Sequence, residues 1–215
     1  MKTRVKICCI SSIEEANLAI RYGASALGLV SAMPSGPGPI PETLIKEIVS
    51  TIPPGVASFL LTCKQTAVEV IAQQRYTWAN TIQLVDAFPI QEYELLREAL
   101  PGIHIVQVIH VIDDNSIIEA KNVSSYVDAL LLDSGNPNLA VKELGGTGRV
   151  HNWEISRKIR DSVPIPIFLA GGLHAGNVRN AIEQVQPFGV DLCSGVRTNG
   201  KLDEEKLREF FSSMD

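Results

Sequence analysis

The chain has 215 residues, 45% of them hydrophobic and 20% charged, with a formal net charge of −5. That length buries a substantial core and suits one α/β domain or two small ones. The acidic balance argues against a general nucleic-acid binder, which needs a basic face for phosphates, but leaves room for a local site for one anionic ligand.

No apolar run approaches the roughly 18 to 20 residues of a bilayer span, and the apolar stretch in MKTRVKICCISS is too short for a signal peptide. The four cysteines, Cys8, Cys9, Cys63 and Cys193, show no repeated C-x-x-C spacing. Neither a disulfide framework nor a metal site is expected, and a reducing, cytoplasmic setting is the simpler reading.

Apolar runs of strand length alternate with amphipathic stretches from end to end. Residues 5–9 form the first expected strand. Ser11, Ser12 and the acidic pair Glu14 and Glu15 then start a helix that runs to Tyr22 and closes at Gly23. Strands are expected at 26–30, 56–61 and 81–84, with helices at 42–50, 66–74 and 90–100. Strand 103–109, a weak helix at 115–122, strand 127–132 and helix 153–161 follow. Strand 165–169, helix 175–185, strand 190–193 and helix 203–211 complete the chain.

The strands are nearly continuous apolar runs such as ALLL and IPIFLA, as expected where both faces of a sheet are covered. Eight alternating strand–helix units imply a parallel sheet closed into a single (β/α)8 TIM barrel over residues 1–215. Two connections are long for this architecture, SAMPSGPGPIP at 31–41 and DSGNPNLAVKELGGTGRV at 133–150. Both follow strands, at the end of the barrel where active sites lie.

LAGGL leaves the seventh strand and DLCSGVR the eighth. Glycine-rich turns there aim peptide N–H groups at a phosphate, with a helix start behind them. Gly171, Gly172, Ser194 and Gly195 are the candidate contacts, and GGTG adds Gly146. Tight turns alone would also require glycine.

Asp133 ends the run DALLLD, where desolvation keeps a carboxyl protonated more readily, as a general acid requires; a turn or cap role in DSGNP is the bland alternative. Cys8 ends the first strand on the same face as Lys6, whose ammonium would favour a thiolate, the form that acts as a base. Lys6 is grouped with the ligand contacts, and Cys9 is expected to face the helices as a small filler. Cys63, Cys193, Trp78 and Trp153 read as packing, His104 and His110 as core or loop residues.

Together VKICCI, ALGLV, TIQL, DALLLDS with GGTGRVHNW, LAGGLHAGNVRNAI and VDLCSGVRTNG resemble, in order, the phosphoribosylanthranilate isomerase family of tryptophan biosynthesis. The resemblance implies a cofactor-free Amadori rearrangement of N-(5-phosphoribosyl)anthranilate by a monomer or homodimer. It implies a general base at Cys8 and a general acid at Asp133. The acid would protonate the furanose oxygen to open the ring, and the base would then take the C2′ proton. Phosphate would rest on Gly146, Gly171, Gly172, Ser194 and Gly195.

Departures are visible. Cys9 stands where the family has glycine, and Val85-Asp86 stands where it has His-Gly. MPSGPGPI lacks the arginine that the family presents to the anthranilate carboxylate, and Arg197 replaces a glutamate. Arg197 could supply a cation to that carboxylate or lie on the surface. Two alternatives therefore accompany the isomerase reading. One is a related isomerase acting on another phosphorylated sugar; the other is a non-catalytic phosphosugar-binding barrel.

Overall fold

The computed structural model describes residues 3–214. Met1, Lys2 and Asp215, the ends of the expected domain, lie outside the described residues. The first half comprises β1 (Arg4–Ile7), α1 (Ile13–Tyr22), β2 (Ala26–Val30), α2 (Glu42–Thr51), β3 (Ala57–Thr62), α3 (Ala67–Thr77), β4 (Thr81–Leu84) and α4 (Ile90–Ala99). The second comprises β5 (His104–His110), α5 (Asn115–Val123), β6 (Ala129–Asp133), α6 (Trp153–Ser162), β7 (Ile167–Leu169), α7 (Val178–Val185), β8 (Gly189–Leu192) and, after a small hairpin, α8 (Glu204–Ser213).

Local signals fix many of these boundaries. The Ser12 hydroxyl accepts from the Glu15 amide at the start of α1, and Gly23 ends that helix in the left-handed region at φ 110°. Thr66, Asn152 and Asp203 cap α3, α6 and α8 in the same way, each satisfying an amide that the helix itself leaves free.

The eight strands pair in parallel in chain order, and β1 closes on β8. Alternation along each strand then sorts the side chains. Ile7, Leu27, Leu29, Leu60, Ile82, Leu130, Leu169 and Leu192 point outward against Ala16, Ile45, Val70, Leu96, Ile159 and Phe210 of the helices. Ala26, Val30, Phe59, Leu61, Val106, Val108, Leu131 and Phe168 fill the interior. Phe59 and Phe168 meet edge to face at 5.8 Å within it. Burial on both faces is why the strands read as unbroken apolar runs.

A buried ion pair interrupts that interior. The register sets Lys6 directly beside Asp191, and the pair closes at 2.9 Å with Lys6 fully buried. Burial alone would lower the Lys6 pKa, but Asp191 and then Cys8 outweigh it and hold the ammonium above its ordinary range.

The structure departs from the sequence reading in places. β1 stops at Ile7 instead of reaching Cys9. α7 starts at Val178, because the Asn177 side chain accepts from the His174 amide and closes a turn first. Behind β8 stands only a 3-10 turn (Ser194–Val196), followed by a hairpin of β9 (Arg197–Thr198) and β10 (Lys201–Leu202). Such short pieces leave no periodicity to read. Trp78, expected to pack, is 58% exposed, with the Lys46 ammonium 4.1 Å from its ring centroid. Among the described residues no helix is long and apolar enough to cross a membrane.

Candidate active site

Both long loops come to the C-terminal mouth and pack on each other. The SGPGP segment is tied down: the Ile40 amide donates to Val30 O at 2.9 Å, and Pro37 rests on Gly146. Ser35 donates to the carbonyl of Lys142, joining the loop after β2 to the loop after β6. The cavity beneath them is lined by Cys8, Cys9, Gln83, Asp133, Asp191, Cys193, Ser194 and the glycines of the last three loops.

Asp133 is the last residue of β6 and is buried. One carboxylate oxygen accepts from the next amide, Ser134, at 2.8 Å. The other lies 2.7 Å from where a Cβ on Gly145 would sit, so the loop passes directly over the carboxyl. Neighbouring His151 bonds Ser156 through Nε2 at 2.7 Å, and its Nδ1 is buried without a partner. Burial pushes the His151 pKa down to about 4, against a smaller upward pull from Asp133.

Cys8 sits one residue beyond β1, its amide bonded to Leu192 O at 2.7 Å. Its Sγ and the Lys6 Nζ lie 2.7 and 2.9 Å from the space a Cβ on Gly28 would occupy. A glycine in β2 thus makes room for thiol and ammonium to converge. Lys6 does not line the cavity; its ammonium is bound to Asp191 beneath the mouth, where it places positive charge beside Cys8.

Cys9 departs from expectation. Its φ of 61° breaks the strand alternation, so it turns into the mouth rather than toward the helices. Its Sγ lies 2.8 Å from Cys193 Sγ, and Cys193 is likewise a mouth residue rather than filler. This contact raises the Cys9 thiol pKa and lowers that of Cys193, the latter helped by Arg197.

Arg197 follows neither of its two sequence readings. It is buried and bound bidentately to Glu15 at 2.9 and 3.1 Å. It also donates to the carbonyls of Cys8 and Cys9, at 3.2 and 2.5 Å, and to Gly200 O at 3.0 Å. Both terminal nitrogens of the guanidinium are therefore engaged behind the mouth, while Nε is buried without a partner.

The glycine loops after β6, β7 and β8 stack on one another. Gly171 and Gly172 both have positive φ, 83° and 59°, and a Cβ on Gly172 would meet the backbone of 148–150 within 2.9 Å. Gly195 lies so close to Leu173 O that no side chain fits. Gly146, Gly171, Gly172 and Ser194 line the cavity at this end, and Gly195 stands just behind Ser194. No lysine or arginine lines the cavity among the described residues. Lys142 instead reaches across the rim to Asp86, the residue after Val85.

Sequence reasoning placed Cys8 and Asp133 at one mouth but missed Asp191, Gly28 and the Glu15–Arg197 pair. Only the β1–β8 register could have revealed Asp191 as the partner of Lys6.

A closed parallel barrel with a thiol and a carboxyl at its C-terminal mouth, among glycine-built loops, defines a small-molecule enzyme of the (β/α)8 class. Residues 5–213 match the family described as N-(5'phosphoribosyl)anthranilate (PRA) isomerase, and the chain belongs to that family. It is 38% identical to N-(5'-phosphoribosyl)anthranilate isomerase 2 of Methanosarcina mazei, over 96% of this chain and 92% of the relative. The enzyme of Methanosarcina acetivorans is 33% identical, with coverage of 100% and 94%. Phosphoribosyl anthranilate isomerase from Thermotoga maritima superposes with a TM-score of 0.84 at 29% identity, covering 99% of this chain and 98% of that one. A phosphoribosyl anthranilate isomerase in complex with reduced 1-(o-carboxyphenylamino)-1-deoxyribulose 5-phosphate has a TM-score of 0.82 at 27% identity, with the same coverage.

Proposed function

We propose that this chain catalyses the Amadori rearrangement of N-(5-phosphoribosyl)anthranilate to the 1-deoxyribulose 5-phosphate product. The observation that carries the reading is a thiol and a carboxyl lining one cavity with the glycine loops of β6, β7 and β8, in a chain of this family. Phosphate binds to backbone N–H groups around Gly146, Gly171, Gly172, Ser194 and Gly195, which anchors the sugar.

Asp133, held by the Ser134 amide, gives its proton to the furanose oxygen and opens the ring. Cys8, beside the Lys6 ammonium, takes the proton from C2′ as a thiolate. The resulting enol becomes the ketone, and these proton transfers need no cofactor. The enzyme acts as a monomer or homodimer in the cytoplasm. Four free cysteines, two of them in contact, support a reducing setting.

Cys8→Ala and Asp133→Asn are each expected to lower kcat by about 10²- to 10⁴-fold, the usual contribution of a positioned acid or base. Affinity for a phosphorylated product analogue should stay within about threefold, since the phosphate contacts are separate. Absence of turnover by the unmodified protein would overturn the reading. The cation-free lining favours one second reading, an isomerase for another phosphorylated sugar. Turnover of such a sugar, with none of the anthranilate, would establish it.

A further inference from the structure

We infer that Arg197 is a positioning residue for the catalytic thiol, acting by holding Cys9 in a left-handed conformation. A non-glycine residue at φ 61° is uncommon and costs on the order of 1 kcal/mol or more unless its surroundings impose it. Here one guanidinium nitrogen donates to the carbonyls of both Cys8 and Cys9. Two successive carbonyls converge on one donor because the chain turns left-handed between them.

The guanidinium is itself fixed. Glu15 grips it bidentately, and the same carboxylate accepts from the Leu202 amide at 2.8 Å and the Ser11 amide at 3.0 Å. The clamp therefore joins the end of β1, the start of α1 and the β9–β10 hairpin. Residue 9 decides where the chain leaves β1, and with it where the Cys8 thiol stands. Arg197 does not itself line the cavity, and it reaches Cys8 and Cys9, which do, through their backbone carbonyls. The kinetic side of this inference rests on Cys8 being the base; the backbone side does not.

The test uses Arg197→Met, Cys9→Gly and the double variant. Arg197→Met is expected to lower kcat about 100-fold, the scale of an ångström-sized misplacement, with KM within about threefold. Glycine adopts positive φ without a penalty. Cys9→Gly takes a thiol out of the mouth, so its own kcat is the reference: adding Arg197→Met to it should cost less than about tenfold, against about 100-fold in the parent. Crystal structures give the second readout: residue 9 leaves the left-handed region in Arg197→Met and stays there in the double variant.

A merely structural Arg197 would give the same loss on both backgrounds. The proposal falls if Arg197→Met costs as much in Cys9→Gly as in the parent, or if Cys9 keeps its positive φ without the arginine. Should Arg197→Met not fold, Arg197→Lys is read by the same comparison, since one ammonium cannot reproduce the planar fork. If the parent protein does not turn over the anthranilate substrate, the φ of residue 9 still decides the inference.

Discussion

The two ends that carry the proposed acid and base are built differently. Asp133 stands in regular strand, bonded to the very next amide and covered by a loop that starts beside it. Cys8 stands beyond the end of its strand, beside a lysine tied to Asp191 and behind a turn held by Arg197. One position comes from its own neighbourhood; the other is assembled from the opposite end of the chain. The acid should therefore tolerate distant change, and the base should not.

Short of removing the acid or the base, the largest expected effects on kcat come from filling the space beside each group. Gly28→Ala puts a methyl 2.7 Å from the Cys8 Sγ and 2.9 Å from Lys6 Nζ. Overpacking of this kind costs about 1–3 kcal/mol of stability, and kcat should fall about 100-fold as the thiol moves. Gly145→Ala meets Asp133 at 2.7 Å, but it lies in a surface loop and carries its own penalty at φ 131°. Its loop can shift outward, so its loss of kcat should be the smaller. Steady-state kinetics on the two variants rank the ends, and an equal loss would remove the contrast.

Next comes the buried pair. Lys6→Met leaves Asp191 without its partner inside the barrel, and breaking such a pair costs about 3–5 kcal/mol. Lys6→Met with Asp191→Leu should regain most of that stability in thermal melting, yet not the activity, because the charge beside Cys8 is gone. Recovered activity in the double variant would show that the thiol works without the ammonium.

The smallest effect belongs to the acid side and is read by pH. His151 is held neutral, its folded pKa near 4 against about 6.5 when unfolded. The unfolded chain thus binds more protons within that window, and stability declines as pH falls from about 6.5 toward 4. His151→Phe should flatten the melting-temperature profile over that interval. An unchanged slope would assign the pH dependence elsewhere.

This contrast also governs what the sequence discloses. Asp133 and the strand beneath it are legible because DALLLD and the glycines after it are contiguous. The eight units and most helix ends follow from apolar spacing and from caps such as Ser12 and Gly23. Cys9 was misjudged because period-2 alternation assumes strand geometry, and one positive φ cancels it. Arg197 was illegible for a related reason. Its partners, Glu15 and the carbonyls of residues 8 and 9, become neighbours only when the barrel closes β1 against β8.

A left-handed residue held by a distant arginine also orders the steps by which the chain can change. Glycine at position 9 frees position 197 to vary, whereas cysteine at 9 makes loss of the arginine damaging at once. Substitution in one order passes through a working protein, and in the other through a crippled one. The two sites behave as a ratchet, and the history of one is written in what the other permits.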